Sequence, residues 1–84
     1  MLRIELYSRP GCHLCEEAKA TLLAAASRYD FELVERNVED NPQWEADYGR
    51  EVPVIFIEGR KAFKYRIPPG GLERHISGSS RSRH

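Results

Sequence analysis

The sequence predicts an α/β protein with a four-stranded mixed sheet flanked by helices, in the element order β-α-β-α-β-β-α. Three observations predict this fold class. Segments with the alternating or continuous apolar pattern of strands alternate along the chain with segments rich in helix-forming residues. Glycine and proline residues separate these segments. The 84 residues suffice for one domain and show no internal repeat.

The first half of the chain is predicted to form a strand, a helix and a second strand. Residues 2–8 alternate between apolar and polar side chains, as a strand does, and Pro10 and Gly11 end that strand. Residues 12–28 are predicted to be helical because their middle is rich in alanine, leucine, glutamate and lysine. Residues 31–38 are the second strand.

A short helix and a buried strand are predicted next. Asp40 or Asn41 can cap the helix, Pro42 suits its first turn, and Gly49 is a suitable stop. Residues 52–57 are almost wholly apolar, which is typical of a strand buried on both faces. We expect the first three strands to run parallel, because helices connect them.

The last part of the domain is predicted to be a hairpin strand and a short helix. Residues 62–67 alternate cleanly after a turn at Glu58 and Gly59, and residues 72–76 form the helix. The domain is therefore expected to span residues 1–77. Residues 78–84 contain only serine, glycine, arginine and histidine, and we expect a disordered tail there.

Composition and charge limit the classes of function. Thirteen basic and thirteen acidic side chains cancel, so a protein whose main role is to bind nucleic acid or an anionic membrane is not expected. No apolar run reaches the ~18 residues that span a bilayer. The residues at the start of the chain are too few and too charged for a signal peptide, so we expect a cytoplasmic location.

The two cysteines form a C-x-x-C pair at the predicted start of the first helix. Free backbone N–H groups at a helix N-terminus stabilise a thiolate, so Cys12 is the predicted nucleophile. Cys15 shares an apolar stripe with Ala18 and Leu22, so it is expected to be more buried and to act as the resolving thiol. The alternative is a pair of unreactive, half-buried cysteines.

A metal site is not predicted. One C-x-x-C pair supplies only half of the ligands that a structural zinc site needs. The possible additional ligands are His13, His75 and His84. His13 lies between the cysteines and would point elsewhere, while His84 lies in the expected tail.

Two motifs together resemble the glutaredoxin-like branch of the thioredoxin superfamily. They are the YSRPGCHLC stretch of residues 7–15 and the Val-Pro-Val sequence of residues 52–54, and the resemblance covers residues 2–76. It implies that Pro53 is in cis and faces the cysteine pair. It also implies that the backbone of Val52 pairs with an incoming thiol substrate.

The resemblance also assigns a role to Arg9, which stands where dithiol glutaredoxins commonly carry a lysine. A cation there can stabilise the thiolate and attract the carboxylate of glutathione. The alternative for Arg9 is an ordinary solvated loop residue. Between the cysteines the chain has His13 and Leu14, where those proteins usually have proline and tyrosine.

Two further departures concern glutathione. Glu51 replaces the threonine that usually precedes the Val-Pro pair, and its negative charge would not favour glutathione. The glycine pair at residues 70–71 comes several residues later than in glutaredoxins, and Glu73 follows it in place of aspartate. Glutathione binding is therefore left open.

The predicted function is a small thiol–disulfide oxidoreductase that needs no prosthetic group. Its partners would be a thiol or disulfide protein substrate, or glutathione as a co-substrate, and we expect a monomer. The alternative is a non-catalytic binding module or electron-transfer adaptor that keeps the fold. A weaker alternative is an iron–sulfur carrier in which Cys12 ligates a cluster across a dimer.

Overall fold

A computed structural model describes the backbone of residues 2–81 and the side chains of residues 2–76. The fold class is confirmed: four strands form one mixed sheet, with three α-helices packed around it. The elements are β1 Leu2–Ser8, α1 His13–Ala26, β2 Phe31–Asn37, a 3-10 turn Val38–Asp40, α2 Pro42–Tyr48, β3 Val54–Ile57, β4 Arg60–Lys64 and α3 Gly71–Arg81.

β1 is one of the two inner strands of the sheet, whose strand order is β2-β1-β3-β4. β2 runs parallel to β1, as predicted, with Leu2 opposite Phe31 and Ser8 opposite Asn37. β3 runs antiparallel to β1, with Tyr7 opposite Val54, so the prediction of three parallel strands is wrong for β3.

The reversed direction of β3 follows from the length of α2. Seven strand residues span about 23 Å, whereas the seven residues of α2 span only about 10 Å, too short to return the chain along the sheet. The connection from Asn37 to Val54 therefore stays at the end of the sheet where β1 ends. The same end carries the loop with the cysteines, which follows Ser8.

The main core lies between one face of the sheet and the helices α1 and α3. Leu2, Ile4 and Leu6 of β1 point into it, and each is at most 6% exposed. Leu22 of α1 and Leu72 of α3 pack against them. The predicted stripe on α1 is confirmed: its buried residues are Cys15, Ala18, Leu22 and Ala25.

An aromatic cluster lies on the opposite face of the sheet, where α2 packs. The Tyr7 ring centroid is 5.6 Å from that of Trp44, 4.7 Å from that of Tyr48 and 5.5 Å from that of Phe56. Burial, together with the nearby carboxylate of Glu5, raises the pKa of Tyr7. The cluster connects α2 to the end of β1 that leads into the cysteine loop.

Two predicted boundaries need correction at the end of the domain. β4 covers Arg60–Lys64, not residues 62–67, because the Glu58–Gly59 turn is only two residues long and Tyr65 takes a positive φ of 68°. α3 extends through residues 78–81, which were expected to belong to the tail. Burial of Leu72 and Ile76 stabilises the first turns of α3. Once these turns have formed, each further residue adds one backbone hydrogen bond without the cost of starting a new helix, so the helix can continue. Residues 82–84 of the expected tail lie outside the described residues.

Candidate functional site

A tight turn brings the chain from β1 to the first cysteine. The Cys12 N–H donates to the Arg9 carbonyl at 3.3 Å, with Pro10 and Gly11 between them. Gly11 has a φ of 75°, so proline and glycine occupy the two positions that a type II turn favours for them. The turn therefore sets Cys12 directly at the N-terminus of α1.

The two cysteines are joined by a disulfide, with their Cα atoms 5.2 Å apart. Cys12 is the N-cap of α1, with φ −90° and ψ 111°, and its Sγ accepts a hydrogen bond from the Cys15 N–H at 3.2 Å. Cys15 is only 4% exposed, whereas Cys12 is half-buried. The pair therefore has one accessible member at the helix tip and one member in the core.

The Val52–Pro53 segment lies at the same end of the sheet as the cysteine loop. Its peptide bond is cis, as the resemblance predicted. Pro53 is buried, and its carbonyl accepts a hydrogen bond from the Tyr65 N–H at 2.9 Å. Val54, the next residue, pairs with Tyr7 near the end of β1. The predicted binding roles of Val52 and Pro53 stay predictions.

The Arg9 side chain points to α2. Its guanidinium donates to the Gly49 carbonyl at 2.9 Å and forms ion pairs with Glu45 and, at 3.4 Å, with Glu39. The hydrogen bond to Glu45 raises the pKa of Arg9. The charge of Arg9 is therefore already compensated within the fold, and its predicted role toward a thiolate or glutathione stays a prediction.

Glu51 is also paired within the fold. Lys61 of β4 bonds one carboxylate oxygen, and the Lys64 Nζ lies 3.5 Å from the other. The hydrogen bond from Lys61 lowers the pKa of Glu51. Two lysines thus face one carboxylate, so the negative charge expected to disfavour glutathione is compensated.

The sequence did not point to these lysines or to Tyr65 as parts of the site. Lys61 and Lys64 lie in a strand that the sequence placed two residues too late, so their position opposite Glu51 could not be predicted. Tyr65 has a positive φ, which is usually adopted by glycine, asparagine or aspartate. No pattern in the sequence predicts this backbone angle at a tyrosine.

No metal centre or membrane-spanning helix is found within the part of the chain that the structure describes. There, no group of three or more histidine, cysteine, aspartate or glutamate residues could hold a metal ion. No described helix combines the length and the apolar character needed to cross a bilayer.

Comparison with known proteins gives consistent matches. Residues 3–77 match the family described as Glutaredoxin-like domain (DUF836). A protein named glutaredoxin-like protein YDR286C homolog, from Dictyostelium discoideum, is 32% identical in an alignment of 72 residues that covers 79% of this chain and 67% of that protein.

Two solved structures show the same fold. The solution NMR structure of Ne2328 from Nitrosomonas europaea has a TM-score of 0.77 and 30% identity, over 89% of this chain and 91% of that one. The oxidised form of mitochondrial thioredoxin 3 from Saccharomyces cerevisiae has a TM-score of 0.69 and 18% identity, over 92% of this chain and 77% of that one. The second likeness supports the fold alone.

Proposed function

The chain belongs to the glutaredoxin-like domain family, and on that premise we propose that it is a thiol–disulfide oxidoreductase acting through Cys12 and Cys15. The observation that carries the proposal is the disulfide-linked pair at the start of α1, with Cys12 accessible and Cys15 buried. A disulfide placed at a helix tip and within reach of solvent suits exchange with other thiols.

The proposed reaction reduces a substrate disulfide by two electrons. The Cys12 thiolate attacks one substrate sulfur, forms a mixed disulfide and releases the other substrate sulfur as a thiolate. The Cys15 thiolate then attacks the Cys12 sulfur, which closes the intramolecular disulfide and releases the second substrate thiol. An external dithiol, or two molecules of a monothiol such as glutathione, returns the pair to its reduced form.

The division of roles rests on the surroundings of the two sulfurs. Cys12 is the N-cap of a helix of 14 residues, where the free N–H groups and the helix dipole favour a thiolate. Its sulfur already accepts a hydrogen bond from the Cys15 N–H. Cys15 is buried beside Ala18 in the core, so a substrate disulfide in solution reaches Cys12 first, and Cys15 can attack the Cys12 sulfur from within the protein.

We propose that a substrate thiol lies against the Val52–Pro53 segment. Proline has no N–H, so Pro53 offers the sulfurs no competing donor, and the backbone of Val52 is left to pair with the substrate. No prosthetic group is required for this exchange. The protein would act as a monomer in a reducing compartment such as the cytoplasm.

Two serine variants test the mechanism. Cys12→Ser should abolish reduction of insulin by a dithiol and of a glutathione mixed disulfide, with an unchanged circular dichroism spectrum. Cys15→Ser should keep the nucleophile but stop at the mixed disulfide, because a serine hydroxyl does not attack sulfur at neutral pH. Intact mass of this variant after exposure to oxidised glutathione, and non-reducing gels after exposure to oxidised lysate, should reveal the adduct.

The order in which the two cysteines are alkylated tests which of them is the attacking thiol. If iodoacetamide alkylates Cys15 before Cys12 in the reduced protein, Cys15 is the attacking thiol. If Cys15→Ser forms no adduct with glutathione or with any protein, the exchange mechanism is wrong.

A non-catalytic binding module is the second candidate. It is favoured by the contacts of Arg9, whose guanidinium is held by Glu45 and Gly49 and is therefore not free for a substrate carboxylate. Wild-type protein that reduces neither insulin nor a glutathione mixed disulfide would support this reading.

A further inference from the structure

A polar cleft of about 350 Å³ lies between α1 and β2. Its walls are formed by α1, by the end of β1 with the loop that follows it, and by β2 with the 3-10 turn. Cys15 borders the cleft, whereas Cys12 does not. The volume lies near the lower end of the range of about 300–1,000 Å³ that is usual for small-molecule sites. The cleft therefore has room for a small ligand beside the buried cysteine.

Ser8 places a hydroxyl in this cleft at a position where β1 otherwise has apolar side chains. Leu2, Ile4 and Leu6 of β1 face the core, and Ser8 continues their alternation. Ser8 is only 8% exposed, yet its hydroxyl has no hydrogen-bond partner in the part of the chain that the structure describes. No described side-chain oxygen or nitrogen is both sealed from solvent and unpaired, so this hydroxyl opens into the cleft that it borders. It is therefore an acceptor available to a ligand.

The uncompensated charges that border the cleft are negative. Glu16 of α1 and Asp40 of the 3-10 turn both line it, and neither has an ion pair among the described residues. The other charged groups of the lining are compensated. Lys19 pairs with Glu35 at 3.0 Å, and the guanidinium of Arg9 is held by carboxylates of α2 and of the 3-10 turn. The cleft therefore attracts a positively charged ligand.

The acceptors of the cleft suit an ammonium group better than a metal ion. Within the described residues, no group of three or more histidine, cysteine, aspartate or glutamate side chains could hold a metal ion. An ammonium group instead has three N–H donors, which carboxylate and hydroxyl oxygens can accept. The Lys19–Glu35 pair already joins an alkylammonium chain from α1 to a carboxylate of β2. Glu16, about one turn before Lys19 on the same helix, is a carboxylate without such a partner.

We infer that this cleft binds a primary alkylammonium ion, that is, a small organic cation with one protonated amino group. The N–H groups of the ligand donate to the Ser8 hydroxyl and to the carboxylates of Glu16 and Asp40, and its alkyl chain lies against Pro10. The inference goes beyond the proposed function and does not depend on it, because none of these contacts takes part in disulfide exchange. The bound cation lies beside Cys15, on the side of α1 that faces β2.

Titration of the oxidised protein with n-butylammonium chloride tests the inference. Nitrogen–proton spectra should show saturable shifts of the backbone amides of Ser8, Cys15 and Asn37, which all border the cleft. Tetramethylammonium carries the same charge but has no N–H donor, so at equal ionic strength it should bind at least about tenfold more weakly. Equal affinity for the two ions would mean attraction by charge alone and would overturn the site. The absence of saturable shifts would overturn it as well.

A second cavity gives the titration an internal control. It has about 500 Å³ and lies beside the turn between β3 and β4, next to α3. Arg60, Lys61 and His75 border it together with a single carboxylate, that of Glu58. The ammonium ion should avoid these basic groups, so the amide of Ala62, which also borders this cavity, should not shift. Shifts at Ala62 as large as those in the cleft would show that the ion binds all over the surface, which would overturn the site.

Two variants separate the carboxylate contact from the hydroxyl contact. Asp40→Asn should weaken the binding of n-butylammonium about three- to tenfold, whereas the matched control Asp30→Asn, at an exposed position outside the cleft, should leave it unchanged. Ser8→Ala should weaken binding by a similar factor, because it removes the buried acceptor. Its melting temperature should stay equal to that of the wild type or rise, because the replaced hydroxyl has no partner within the fold. Wild-type affinity in Ser8→Ala, or in Asp40→Asn, would overturn the proposed site.

Discussion

At the scale of single residues, Arg9 links the two loops that flank the disulfide. Its backbone carbonyl accepts the Cys12 N–H, while its side chain holds Gly49, four residues before Pro53. A guanidinium can satisfy a carbonyl and two carboxylates at once because its donors form a planar fork. The fold uses Arg9 as a brace between the cysteine loop and the loop that leads to Val52.

Replacement of Arg9 distinguishes a brace from a substrate ligand. If Arg9 is a brace, Arg9→Lys should lower the urea midpoint nearly as much as Arg9→Met, because one ammonium group cannot bond Glu45 and Gly49 in the same fork. The KM for a glutathione mixed disulfide should then change less than about threefold in both variants. A large rise in KM with Arg9→Met that Arg9→Lys rescues would instead assign Arg9 to substrate binding.

Glu51 gives the stability of the fold a dependence on acid pH. Lys61 lowers its pKa below the usual value of 4.5, so the charged carboxylate favours the folded state. This stabilisation is present above pH 4.5 and is lost as the pH falls through the lowered pKa. The urea midpoint of wild type should exceed that of Glu51→Gln by about 0.2–0.5 M at pH 7 and match it in strong acid. Asp30→Asn, at an exposed site without an ion pair among the described residues, is the control and should show no such gap.

At the scale of elements, α1 carries both the core and the cysteines. Leu22 is fully buried, whereas its neighbour Leu23 is 53% exposed. Leu22→Ala should lower the free energy of unfolding by about 2–5 kcal/mol, because it leaves a cavity under the sheet. The matched variant Leu23→Ala should change it by less than about 0.5 kcal/mol. Chemical denaturation of both variants measures the difference, and equal losses would contradict the packing of α1.

The sequence predicted which helices and strands form better than it predicted the residues at which they end or the direction in which each strand runs. The stripe that includes Cys15 and Leu22 has a helical period, so both the helix and its buried face could be read from it. The direction of β3 could not, because it depends on how far α2 reaches. The end of β4 could not either, because it depends on the backbone angle of Tyr65.

The reactive residues of the candidate site could be predicted from the sequence, but the side chains that surround them could not. The cysteine spacing and Pro53 are features of local sequence. The partners of Arg9 and Glu51 come from segments about 40 and 10 residues away along the chain, respectively, and only the folded chain brings them together. Long-range contacts of this kind leave no periodic pattern in a single sequence.

At the scale of the whole molecule, β1 and β3 should be the most protected strands. Each has a hydrogen-bonded neighbour on both sides, and Ile4 and Leu6 of β1 and Ile55 of β3 are fully buried. Native-state hydrogen exchange should therefore find the slowest amides in β1 and β3, with opening free energies near that of global unfolding, and faster exchange in α2. Amides of β1 that exchange as fast as those of α2 would contradict this arrangement.

The position of β1 between β2 and β3 has a consequence for synthesis on the ribosome. β1, α1 and β2 can already form a parallel unit when Asn37 has left the exit tunnel, but the other edge of β1 stays open until β3 is complete. At about 5–20 residues per second, the 20 residues from Val38 to Ile57 take about 1–4 s to make. During that interval the nascent chain offers a bare strand edge to its neighbours on the same messenger RNA. Stalled or truncated chains that end before Val54 would keep this edge permanently and would be the forms most prone to aggregate.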